Sequence, residues 1–219
     1  MARHVDIVRP VRHIVAPIRS SVPKVRLLKT LAISTLTICG IDELPAQRAN
    51  SVTHVLSVLD PDWPEIDTFQ TYGPHHRTTL RFHDIINPEE DRILPAPEHV
   101  GAILRFGADL MATSRDRAEG HLLVHCHMGV SRSTAAMVSL LAQVTPGEDE
   151  DELFARLREI RPQAWPNSLM IGYADDLLGR QGRLVAALGR HYGHQVRRDP
   201  KFLEWMRQLG RDRELGMAV

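Results

Sequence analysis

Apolar positions along this chain follow two rhythms. Short runs rich in β-branched residues occur at Leu31 to Cys39, Val52 to Leu59, Thr78 to Asp84 and His121 to His125, and each has strand length. Between the third and fourth runs, Pro97 and Glu98 read as first-turn residues. Val100, Ile103, Leu104, Gly107, Leu110 and Met111 then recur at helical spacing. A second helix is expected from about Arg132 through Ala135, Ala136, Val138, Leu140 and Leu141, stopping near Pro146-Gly147. The acidic run Glu148 to Glu152 sits where a helix N-terminus favours negative charge and leads into Leu153, Phe154, Leu157 and Ile160, so it reads as a solvated helix start. Asn167 to Leu178 forms a further helical pattern. Beyond it apolar and Arg-rich turns alternate, with Gly179, Gly182, Gly189, Gly193 and Gly210 as breaks. Strands alternating with helices predict an α/β fold: a central, mainly parallel sheet flanked by helices on both faces.

The 219 residues suit one sizeable α/β core with separable ends. The expected division is an N-terminal extension over 1–30, a core domain over 31–180 and a C-terminal helical extension over 181–219. Lysine plus arginine equals aspartate plus glutamate at 27 each, a balance that points to neither a nucleic-acid nor a membrane-surface partner. The basic side chains Arg3, Arg9, Arg12, Arg19, Lys24, Arg26 and Lys29 nonetheless crowd the first thirty residues. Pro10, Pro17 and Pro23 interrupt that arm and argue against a transit-peptide helix, so it reads as a poorly ordered extension. The longest apolar run, Leu31 to Ile41, mimics a signal peptide but enters Asp42 and Glu43 without a small-residue cleavage site. It reads as a buried strand, with a secretory leader as the lesser alternative. The cysteines are Cys39 and Cys126 alone; a disulfide framework is neither needed at this size nor supported, and a reducing, cytoplasmic setting fits.

Candidate chemistry concentrates in His125-Cys126-His127-Met128-Gly129-Val130-Ser131-Arg132-Ser133, between the strand Leu122-Leu123-Val124 and a helix. A loop folded into a helix N-terminus turns successive backbone N–H groups inward, and with the helix dipole they make an anion site. The same field stabilises a thiolate, which makes Cys126 a nucleophile. Gly129 lets the backbone turn closely around a ligand, and the planar fork of Arg132 suits two phosphoryl oxygens at once. Ser133 is placed to donate to the sulfur when it leaves.

His-Cys-x-x-Gly-x-Ser-Arg-Ser resembles the signature of the cysteine-dependent protein tyrosine phosphatase superfamily, in particular its dual-specificity-like branch. The resemblance covers roughly Leu36 to Leu178, and Leu36-Thr37-Ile38-Cys39-Gly40 through Val55-Leu56-Ser57-Val58-Leu59 is similar to the opening strands of bacterial predicted tyrosine phosphatases. It implies a phosphatase fold over 31–180 and a phosphocysteine intermediate on Cys126. It also implies phosphate binding by His127, Met128, Gly129, Val130, Ser131 and Arg132, with His127 lining the loop outwardly and His125 packing beneath the loop near the sulfur. No metal or organic cofactor is implied. The partner expected is a phosphorylated protein or peptide.

In such enzymes an aspartate on a loop after an upstream strand protonates the leaving oxygen, and Asp84 holds that place. The interval to Cys126 is longer than a compact enzyme of this kind needs, the excess lying in Ile86 to Pro97, so Asp91, Glu89 and Glu90 stand as rival acids. Arg161-Pro162-Gln163-Ala164-Trp165-Pro166-Asn167 resembles a Ser-Pro-Asn element that buttresses the phosphate loop, with Trp165 in place of the serine and Asn167 as the supporting residue. Two alternatives remain open: a phosphoinositide or other small phosphate ester as substrate, and a binding module without turnover. His121, His125 and His127 beside Cys126 invite a zinc reading, but neighbouring strand side chains face opposite ways and no second ligand pair follows. His75-His76-Arg77 reads as solvated loop charge, and Cys39 as a buried thiol.

Overall fold

The computed structural model describes residues 33–116 and 119–219. The basic arm over 1–30 lies outside the described residues. Four strands, β1 (Thr35–Cys39), β2 (His54–Leu59), β3 (His76–Arg81) and β4 (His121–His125), form one parallel sheet in the order β1-β4-β2-β3. β4 is central: Cys39 and Ser57 both stand opposite His125. β2 and β4 are buried along their whole length, as expected of inner parallel strands covered on both faces, whereas the edge strands β1 and β3 are only partly covered.

The helices are α1 (Leu44–Gln47), α2 (Pro97–Ala112), α3 (Arg132–Val144), α4 (Glu150–Ile160), α5 (Ser168–Leu177), α6 (Arg183–Arg198), α7 (Lys201–Gln208) and α8 (Asp212–Leu215). They flank the sheet unequally. Ile38, Leu56, Val58, Leu122 and Val124 join one core with the apolar faces of α2 to α7. On the other face Cys39, Val55, Leu59 and Leu123 pack under Leu44, Val52, Ile66 and Phe69, carried by α1 and by short turns. No helix among the described residues is long and apolar enough to cross a membrane.

Several expectations change. β3 ends at Arg81, because Phe82 N still donates to Leu59 O but His83 N turns away to Ile93 O; Asp84 therefore lies in a loop. The acids opening α4 are only partly solvated. Asp149 caps the helix through Asp151 N, but Glu150 is buried, 3.0 Å from both Arg180 and Arg183, cations too far along the chain for sequence periodicity to pair. His75-His76-Arg77 is likewise not simply a solvated cluster, since Arg77 lies 4.4 Å over the Phe69 ring and donates to Ser57.

The glycines at 189 and 193 do not break the C-terminal segment but lie inside α6. A Cβ on Gly193 would sit 1.9 Å from Val219 O, and one on Gly189 would sit 2.7 Å from Met217 O, so these glycines let the last residues lie against the helix. The segment over 181–219 shares the main core: Leu184, Leu188, Tyr192, Phe202 and Met206 belong to the same buried cluster as α3 and α5. Trp165 stacks on Tyr192 at 4.2 Å, and its indole N–H donates to the buried Glu214 at 2.8 Å.

Candidate active site

Beyond the carboxyl end of β4, residues 126–131 wrap into the N-terminus of α3, where ligands of open parallel sheets collect. The loop is held from outside by its carbonyls. His127 O accepts from Ile41 N, Met128 O and Gly129 O from Arg161, Val130 O from Trp165 N, and Ser131 O from Ala135 N. Among the described residues no protein acceptor takes the amides of Met128 to Arg132, so these donors are left to an anion inside the loop. Gly129 is demanded twice: its φ is +68°, and a Cβ there would lie 2.4 Å from the carbonyl carbon of Cys39.

Cys126 is buried, and its Sγ lies 3.2 Å from Ser133 Oγ. His125, on β4, bonds Ser57 Oγ at 2.7 Å beneath the sheet end; burial pushes it down to about 3 despite a hydrogen bond with the Cys126 backbone, so it is neutral. Burial pushes the Cys39 thiol up to about 12, which leaves it an inert core residue. The three histidines considered as metal ligands are spread apart: His121 binds Thr37 and Asn50 O, His125 binds Ser57, and His127 accepts from Asp60 N.

Arg132 is 2% exposed. Its Nη1 donates to Asp60 Oδ1 and to Phe82 O, both at 2.6 Å, while its buried Nε has no hydrogen-bond partner among the described residues and stands 3.9 Å from Asp84 Oδ2. A buried guanidinium N–H beside loop amides that no protein acceptor takes is a donor suited to a phosphoryl oxygen. His127 lines the same cleft, its ring 4.2 Å from Trp63.

Asp84 lines the same cleft, beside the loop. Its Oδ1 accepts from Ser131 Oγ at 2.7 Å, from Asn167 Nδ2 at 3.1 Å and from Arg211 Nη2 at 2.5 Å. Burial pushes its carboxyl up, but Arg211, Arg132 and the Ser131 hydroxyl together outweigh that and hold it below the usual aspartate range. Of the rivals, Glu89 reaches the cleft, whereas Asp91 is exposed with a φ of +57°. Asn167 caps α5 through Met170 N and supports the Asp84 loop as well as the phosphate loop.

The cleft encloses about 280 Å³, with Met128, Trp165, Trp205, Met206 and Leu209 supplying apolar wall. Three of its supports escaped the sequence reading as site residues. Asp60 follows the last residue of β2, and the rule that parallel sheets bind ligands past their carboxyl ends would have flagged it. Arg161 heads the stretch that resembles the buttressing element but was given no role, and Arg211 had no local signal.

No protein-family model matches the chain. It is 31% identical over 157 residues to the mouse protein phosphatase Slingshot homolog 3, covering 71% of this chain and 20% of that protein. To the human Slingshot homolog 3 it is 33% identical over 149 residues, covering 68% and 19%. The chain thus spans about a fifth of the length of these relatives. Among solved structures, the Cydia pomonella PTP-2 phosphatase superposes with a TM-score of 0.50 at 17% identity, covering 66% of this chain and 86% of that one.

Proposed function

This chain belongs to the cysteine-dependent, dual-specificity-like protein tyrosine phosphatases, and on that footing we propose that it hydrolyses phosphate monoesters through a phosphocysteine on Cys126. The observation that carries the reading is the loop itself: amides without protein acceptors, an Arg132 Nε without a hydrogen-bond partner, and a sulfur 3.2 Å from a hydroxyl, all at one helix N-terminus.

In the first step the Cys126 thiolate attacks phosphorus, the P–O ester bond breaks, and the departing oxygen takes a proton from Asp84. Loop amides and Arg132 hold the equatorial oxygens as charge spreads over them. In the second step Asp84, now ionised, takes a proton from water, which attacks phosphorus. The S–P bond breaks, inorganic phosphate leaves, and the Ser133 hydroxyl donates to the returning thiolate.

A phosphotyrosine peptide suits the cleft better than a phosphoinositide. The apolar wall from Trp205, Met206 and Leu209 offers an aryl group a surface, and Met128 is half exposed at the rim. A polyanionic headgroup would need spare cations, yet Arg132, Arg211 and Arg92 already face Asp60, Asp84 and Glu89. The test is hydrolysis of p-nitrophenyl phosphate by wild type and Cys126→Ser, followed by a phosphotyrosine peptide against a phosphoinositide. Turnover that vanishes in Cys126→Ser and favours the peptide supports the reading. Turnover that survives the substitution refutes the mechanism, and preference for the lipid refutes the substrate class.

A further inference from the structure

The loop bearing Asp84 is clamped from the C-terminal segment. Its successive carbonyls are each taken by a side chain: Asp84 O by Arg211 at 2.7 Å, Ile85 O by Asn167 at 3.2 Å and Ile86 O by Arg213 at 3.1 Å. Arg211 caps α8, is 5% exposed, and is anchored by its own backbone N–H to Met206 O. One of its nitrogens serves both the backbone and the carboxylate of Asp84.

We propose that Arg211 is a positioning residue for the leaving-group acid, fixing Asp84 beside the Cys126 loop. The proposal rests on Asp84 acting as the acid/base. Its force comes from comparing the two cations at Asp84. Arg132, on α3, is committed to Asp60 at 2.6 Å and stands 3.9 Å from Asp84, whereas Arg211 stands at 2.5 Å. The other groups around the carboxyl are the Ser131 hydroxyl and the Asn167 amide of the α5 cap. Glu214 of α8 lies 3.6 Å from Arg211 and tempers its charge, while His127 of the phosphate loop and Tyr192 of α6 feel the Asp84 charge from farther off.

A carboxyl held ionised is a ready base and a reluctant acid. Arg211 therefore sets the pH above which the first step fails, most sharply for poor leaving groups. It is supplied by a part of the chain that the phosphate-loop motif does not contain.

The experiment is the pH profile of kcat/KM for phenyl phosphate in wild type, Arg211→Met and Arg211→Lys. Removing an opposite charge at this range should move the alkaline limb of Arg211→Met upward by about one pH unit or more, while Arg211→Lys keeps it near the wild-type position. Turnover that falls equally at every pH with the limb unmoved marks a merely structural residue and overturns the proposal. Wild-type inactivity on every phosphate ester would instead overturn the reading of the site beneath it. Should Arg211→Met fail to fold, carboxyl NMR of the wild type, with the Asp84 signal assigned by its loss in Asp84→Asn, decides the matter. Titration below an ordinary aspartate supports the clamp, and titration at or above it overturns the clamp.

Discussion

Truncation after residue 180 should abolish cooperative folding, although the signature of the fold ends before that point. The C-terminal helices bury Leu184, Leu188 and Tyr192 completely, Phe202 to 4% exposure and Met206 to 1%, in the core that also holds α3 and α5. A buried side chain of this size is worth about 1.5 to 3 kcal/mol, so losing several of them is on the scale of a domain's whole stability of roughly 5 to 15 kcal/mol. The ordering entropy of the removed segment is recovered, which offsets part of the loss. The remaining chain is left with a second defect, however: Trp165 loses the Tyr192 and Phe202 rings stacked on it as well as the Glu214 carboxylate, and its indole is left facing water. Thermal unfolding followed by far-UV circular dichroism on residues 1–180 and on the full chain decides the point. A melting midpoint for the truncated chain within a few degrees of the full chain would refute the argument that the segment belongs to the core.

Two further predictions follow from particular contacts. Gly129→Ala should lower the melting temperature and weaken vanadate binding at least about tenfold, because a Cβ at φ +68° costs about 1 to 2 kcal/mol in itself and also meets the Cys39 backbone at 2.4 Å; unchanged vanadate affinity would show that the loop yields without cost. Stability should fall as pH drops below about 6.5, since His125 and His191 are held neutral by burial with values of about 3, while the unfolded chain takes up their protons, at about 1.4 kcal/mol per pH unit for each. Asp84 has the opposite linkage: its depressed value contributes stability above the ordinary aspartate range and loses it only as pH falls below that range. Glu214, whose carboxyl burial raises, works against the histidines as pH falls, so they carry the decline between pH 5 and 6.5. His191→Gln should flatten the decline of melting temperature there, and an unaltered slope would contradict the assignment.

What was legible in the sequence was what is local. The nine residues from His125 to Ser133 are contiguous, and strand, loop and helix each imposed their own residue types, so β4, the loop and α3 could be read together. Asn167 was legible through the resemblance of Trp165-Pro166-Asn167 to a Ser-Pro-Asn element, and its cap on α5 is visible only in the structure. Asp84 could be singled out by its place after a strand, but the groups that set its charge could not. Arg211 is 127 residues away, and it lies in a segment whose glycines look like breaks until the C-terminal backbone is seen packed against them. Asp60 and Arg132 are 72 residues apart and meet only because β2 and β4 are neighbours in the sheet. Glu150 was misread for the same reason, its two arginines being supplied after α5.

The central claim is that Cys126 carries the phosphoryl group between the two steps. With p-nitrophenyl phosphate the leaving oxygen needs little help, so Asp84→Asn should slow breakdown of the intermediate more than its formation. Acid quenching of Asp84→Asn during turnover, followed by peptide mass spectrometry, should find phosphate on the peptide containing Cys126 and none in the Asp84→Asn, Cys126→Ser double variant. Turnover without any phosphopeptide at Cys126, or phosphate on another residue, would contradict the account.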